Sequence, residues 1–143
     1  FRGVNVWQGD NIQLAFKVSG QSSLWTAGLT LRADGKPELF LWDLPAKFNR
    51  GQVLQTWKLD IRRVGTLTNY EVKIPLSSIG VDAARLKQGI RFNALINDND
   101  GEGRDGWIHI APGIGENKNP ERFPFILFEQ EVGNFAAAPP RNP

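Results

Sequence analysis

The sequence predicts an all-β chain, an antiparallel β-sandwich of jelly-roll type. Three observations carry this. Apolar and polar residues alternate with period two in segment after segment. Gly, Asp, Asn and Pro cluster between those segments. Almost nothing repeats with the helical period of about 3.6 residues.

The elements follow in chain order. Ile12, Leu14, Phe16 and Val18 alternate with Asn11, Gln13, Ala15 and Lys17, as in a strand that buries one face. Trp25 follows Gly20-Gln21-Ser22-Ser23 and falls in a loop. Leu29–Leu31 and Leu39–Trp42 read as strands separated by the turn Ala33-Asp34-Gly35-Lys36-Pro37. In the second of these, Phe40 and Trp42 share a face, which makes Trp42 a lesser binding candidate. Asn49-Arg50-Gly51 reads as another turn. Trp57, Leu59 and Ile61 then alternate with Lys58, Asp60 and Arg62, which puts Trp57 in the core. Tyr70, Val72 and Ile74 alternate with Glu71 and Lys73. Ser77 or Ser78 caps a short helical turn near Ile79, and Asp82–Leu86 forms a second. Phe92, Ala94 and Ile96 continue the alternation, followed by the short strands Trp107–Ile110 and Phe125–Phe128. The sandwich is expected over residues 1–133, with 134–143 a Pro- and Ala-rich linker or tail.

A chain of 143 residues can bury a real core in one domain. The formal charge of +2 and the lack of a Lys/Arg run argue against nucleic acid. No apolar stretch approaches the roughly 20 residues of a membrane span. With one His and no Cys, thiol catalysis and multi-histidine metal sites are excluded. Met is absent even at position 1, so the chain is expected to follow a removed segment or to be an excised fragment.

Chemistry concentrates between Phe92 and Ile108. Asp98, Asp100, Glu102 and Asp105 lie among three glycines, and oxygen-rich loops of this kind suit Ca²⁺, which takes six to eight oxygens. Asp98, Asp100 and Glu102 are the candidate ligands of a structural Ca²⁺. A turn bonded to its own backbone, with Arg104 pairing one carboxylate, is the alternative. Trp107 and His109 share one face of their strand, and Ile108 and Ile110 the other. With the isoleucines facing the core, the Trp-His face lies open beside Asn93 and Asn97. The competing arrangement buries Trp107 and leaves that polar file to water.

Four segments, in order, resemble carbohydrate-binding module family 9 and the wider DOMON-like group. Trp7-Gln8-Gly9-Asp10-Asn11-Ile12-Gln13-Leu14-Ala15-Phe16 is similar to the family's Trp-x-x-Asp strand. Tyr70-Glu71-Val72-Lys73-Ile74-Pro75, the strand and loop from Phe92 to Trp107, and Asn119-Pro120-Glu121-Arg122-Phe123 resemble its later motifs. The resemblance implies a secreted, sugar-binding sandwich appended to a glycoside hydrolase or polysaccharide lyase; the family carries further strands ahead of the Trp7 motif, which this chain is expected either to lack or to replace with another segment. Trp7 then matches one of two ring platforms for a pyranose. Gln13 takes the place of a sugar-bonding Glu. Glu116-Asn117-Lys118 occupies the region of the second platform and has no aromatic. Arg32, Asn93, Asn97, Arg104, Trp107 and Asn117 complete the candidate ligand-binding side chains. DOMON-like haem ligation by Met and His is impossible without Met.

Two other functions stay open on sequence alone. A carboxylate pair could cleave glycosides, or the sandwich could be purely structural. No Gly-x-Ser-x-Gly elbow supports a serine hydrolase. The leading expectation is a non-catalytic module with polysaccharide or oligosaccharide as partner.

Overall fold

The computed structural model describes residues 2–99, 101 and 106–128. It is an antiparallel all-β sandwich built on eight strands, divided six and two between the layers. The large sheet contains β1 (Asn11–Val18), β2 (Trp25–Leu31), β3 (Pro37–Asp43), β6 (Ile90–Asp98), β7 (Gly106–His109) and β8 (Phe125–Ile126). Its order is β3-β2-β1-β6-β7, with β8 pairing the start of β6. The second layer holds the hairpin of β4 (Lys58–Val64) and β5 (Leu67–Lys73), together with helix α1 (Arg50–Thr56) and the 3₁₀ turn Leu76–Ile79. Helix α2 (Ala83–Gln88) leads into β6.

Strand register divides the side chains of the large sheet into two faces. Leu14 pairs with Ala27 and Ala94, and Phe16 with Trp25 and Phe92, so these look toward the second layer. There, Phe16 and Trp25 stack with centroids 5.7 Å apart and rings 9° from parallel. Trp57 closes over both, at 6.2 and 6.3 Å. Phe48 meets Trp25 edge-on at 4.8 Å. Such pairs add about 0.5–1.5 kcal/mol each beyond area burial. Their polar handles are met: Trp25 Nε1 donates to Gln21 Oε1 at 2.7 Å, and Trp57 Nε1 to Ser78 Oγ at 3.0 Å.

The opposite face carries Asn11, Gln13, Ala15 and Lys17 of β1. It is covered by the 3₁₀ segment Gly3–Gln8 and by the loop after β7. Ala15, Leu95, Ile114 and Phe123 form a small second core here. Gly28 allows the closest approach. A Cβ at that position would fall 2.4 Å from the Trp42 ring and 2.6 Å from Val6. Trp42 therefore packs over the sheet, and its Nε1 donates to the Val4 carbonyl at 3.0 Å.

Three local expectations are corrected. Trp25 is no loop residue; it opens β2 and is fully buried at the centre of the main core. Asn49-Arg50-Gly51 does not turn but starts α1, because the Asn49 side chain caps the helix by accepting from the Gln52 N–H at 3.0 Å. Trp57 ends that helix rather than starting a strand, although it is buried as expected. The helical turn expected over Asp82–Leu86 is present as α2, which Asp82 caps by accepting from the Arg85 N–H.

Candidate functional site

Two indoles on the outer face of the large sheet remain substantially open: Trp7 at 40% and Trp107 at 39% exposure. Trp7 belongs to the 3₁₀ segment Gly3–Gln8, and Trp107 to β7. A pair of buried asparagines links the two elements. Asn11 Nδ2 donates to the Val6 carbonyl at 2.9 Å and to the Gly9 carbonyl at 2.6 Å, which fastens the segment bearing Trp7 to β1. Asn97 Nδ2 donates to Asn11 Oδ1 at 3.1 Å, and Asn97 is the cross-strand partner of Trp107. The segment that carries Trp7 and the strand that carries Trp107 thus meet at one end of the sheet. The Trp107 indole lies against Gly115, where an added Cβ would come within 2.8 Å of the ring.

The start of the acidic loop is tied to the same place. The Asn99 N–H donates to Asp10 Oδ1 at 2.9 Å, and Asn99 Nδ2 donates to the Gln8 carbonyl at 2.6 Å. The Gly101 N–H donates to Asn99 Oδ1 at 2.8 Å. Asp98 is exposed at the end of β6. Asp100, Glu102 and Arg104 lie outside the described residues. Among the described residues no three His, Cys, Asp or Glu side chains converge as a metal group.

The other candidate side chains are scattered. Asn93 is fully buried, and its amide donates to the Ala111 carbonyl at 2.7 Å while its oxygen accepts from the Ala94 and Ala111 N–H groups. Asn93 and Asn97 therefore anchor the layer that covers the face, and neither forms a water-facing file. Gln13 is half-buried on the same face, flanked in register by Gly28 and Leu95. Arg32 sits across the sheet, 2.5 Å from Asp34 and 3.9 Å from Glu38. Asn117 is exposed on the loop after β7. That loop is latched to β3 where Lys118 Nζ donates to the Asp43 carboxylate. Burial alone would raise the Asp43 carboxyl. The hydrogen bonds from Lys118 and Thr26, with the charges of Lys118 and Arg50, outweigh it and hold the group below the usual carboxylate range.

Of the two arrangements open for β7, the one with the isoleucines facing the core does not hold. Ile108 is 75% exposed and Ile110 62%, because the second layer does not extend over β7. Trp107 and His109 occupy the better covered face. The His109 Nδ1 is buried without a hydrogen-bond partner among the described residues.

Asn11 is a positioning residue that the sequence pattern concealed. It looked like one more polar position in the β1 alternation. Its signal was the match with Asn97, a second amide on the sheet face that carries Trp107.

No protein-family model, no curated protein and no solved structure matches this chain.

Proposed function

We propose that this chain is a non-catalytic carbohydrate-binding module that holds an appended secreted enzyme on polysaccharide. The observation that carries the reading is the exposure of two indoles, Trp7 and Trp107, on elements that the Asn11–Asn97 hydrogen bond links. An indole offers an apolar face to the C–H face of a pyranose while its N–H stays hydrated. The exposed amide of Asn117 and the half-buried amide of Gln13, on the same side of the sheet, can each donate to and accept from hydroxyls. Asn99 and Gly101, which follow Asp98, border the same end. Ca²⁺ held by Asp98, Asp100 and Glu102 would stiffen that border.

The residues suit recognition better than bond cleavage. A general acid and base need a mutual hydrogen-bonded geometry and a tuned pKa. Among the described residues, no carboxylate or hydroxyl bonds His109. The carboxyl that is depressed and partly buried, Asp43, is committed to the Lys118 latch.

Affinity electrophoresis against a panel of neutral and weakly acidic polysaccharides tests the reading. Retardation by at least one glycan, with no sugar released from it, is expected. Unretarded migration through the whole panel would remove the proposal.

A further inference from the structure

The second layer stops short of the sheet it covers. Its strand β4 contacts β2 and β3, so the outer edge of β5 opens toward β6 and β7. β5 pairs with β4 and with no other described strand. The two-residue loop Gly65-Thr66 makes Val64 and Leu67 the closing pair. Hydrogen-bond alternation then turns the N–H and C=O groups of Thr68, Tyr70 and Val72 away from β4. Their side chains are the better covered ones of β5 and face the large sheet. Beside this edge a cleft of about 630 Å³ separates Thr68 and Tyr70 from Ile96, Ile108 and Asp98. Its floor is apolar and open, with Ile96 at 50% and Ile108 at 75% exposure.

We propose that this edge docks an extended peptide segment of another polypeptide, added antiparallel to β5 as a third strand of the second layer. A row of backbone donors and acceptors at every second residue is matched by another backbone, and side chains on the inner face of the added strand then supply specificity. The hairpin's level along the large sheet is fixed by two contacts. Phe16 meets Trp57 at 6.2 Å, and Arg63 reaches the Asp10 carboxylate at 3.5 Å. Tyr70, paired with Ile61, therefore lies level with Ile12, and Thr68, paired with Arg63, lies level with Asp10. The row of Ile12 continues through Ile96 to Ile108. The row on one side of it ends in Asp98 and Gly106, and the row on the other runs from Ala94 to Ile110.

These levels define the partner. A residue directly opposite Tyr70 points inward, as Tyr70 does, and lands on Ile96 and Ile108. Two residues earlier in the peptide, the side chain opposite Val72 meets Ile110. Two residues later, the side chain opposite Thr68 meets Asp98. Asp10 already accepts from the Asn99 N–H and faces Arg63. Asp98 is exposed and makes no ion pair with a described residue, so a cation is the complement there. The sequence that fits is apolar-x-apolar-x-Lys or Arg, with its three specified side chains on one face. A second copy of β5 fits less well. Pairing about Tyr70 would set its Val72 opposite Thr68, with no cation for Asp98.

Nuclear magnetic resonance titration of the full chain with the peptide acetyl-Thr-Val-Thr-Val-Thr-Lys-Thr-amide tests this. The amides of Thr68, Tyr70 and Val72 should shift saturably and exchange their hydrogens more slowly, while those of β3 stay unchanged. Two altered peptides should bind about fivefold or more weaker, one with Glu in place of Lys and one N-methylated at the second Val. Thr68→Pro should weaken binding to a similar extent, because Pro removes a donor that faces away from β4. Ile108→Ser should do the same, and its exposed position lets it decide the matter should Thr68→Pro not fold. No shift of the β5 amides at about 5 mM peptide would overturn the proposal. So would equal binding of all three peptides, or native affinity in Ile108→Ser. Amides of β5 that exchange as slowly as those of β2 without peptide would show the edge already filled and likewise overturn it. Exchange that slows with protein concentration would assign the edge to a second copy, with the same consequence.

Discussion

Replacing Asn11 by Ala should unfasten the segment that carries Trp7 at a cost that the structure sets. The change removes two donations, to Val6 and Gly9, and deprives Asn97 of its acceptor. Asn11 and Asn97 are both almost fully buried, so water cannot replace these partners without entering the layer. A net contribution of about 1 kcal/mol per hydrogen bond gives about 3 kcal/mol for the three. The gap left by the shortened side chain adds to this. For 143 residues, at roughly 3–4 °C per kcal/mol, the midpoint should fall by about 10 °C. Urea unfolding followed by far-UV circular dichroism gives the free energy, and calorimetric scanning gives the midpoint. Asn11→Asp serves as a companion, since its oxygen can still accept from Asn97 while both donations are lost. A loss below about 0.5 kcal/mol for Asn11→Ala, the scale of an ordinary surface change, would refute the assignment of Asn11 as the hook.

Four further outcomes are expected. Gly28→Ala should destabilise by about 1–3 kcal/mol, because its Cβ would meet the Trp42 ring and Val6; an unchanged urea midpoint would contradict that packing. The Asp43 carboxyl is depressed in the folded state, so its contribution is fully present above the unfolded value of 3.8 and is lost as pH falls through the lower folded value. The stability gap between the native protein and Asp43→Asn should accordingly narrow below pH 3.8, and a gap that widens on acidification would be inconsistent with the latch. Chelator should lower the melting temperature, with recovery on adding Ca²⁺; no shift, together with no metal by elemental analysis, would leave Asp98, Asp100 and Glu102 bonding only the chain itself. Incubation with any retained polysaccharide should release no reducing sugar or unsaturated product, and turnover abolished by Asp98→Ala or Glu102→Ala would point to an enzyme.

Strands that bury one face were legible because alternation is the direct imprint of that burial. β1 and β6 show it clearly, and their polar positions fall on the face that carries Trp107. β2 hid its first half, since Trp25, Thr26, Ala27 and Gly28 are buried on both sides and leave no alternation to read. α1 was hidden by its own cap: Asn49-Arg50-Gly51 is turn chemistry until the Asn side chain is seen to accept from Gln52. Of the candidate aromatics, Trp7 was singled out by the family resemblance and Trp107 by its strand beside the acidic loop, and both indoles are exposed. The roles of Asn11, Asn93 and Asn97 could not be found from sequence, since an amide on the polar side of a strand looks solvated until the covering layer is placed. The facing of Ile108 and Ile110 stayed open for the converse reason. Whether a strand face is covered depends on how far the second layer reaches, and that distance is not encoded near β7.

Titration calorimetry with a retained oligosaccharide, on the native protein and on Trp7→Ala and Trp107→Ala, tests the central assignment most directly. Each substitution should weaken binding by about fivefold or more, the equivalent of roughly 1 kcal/mol for a stacked ring, with far-UV circular dichroism unchanged. Native affinity in both variants would show that these two indoles are not the sugar platform.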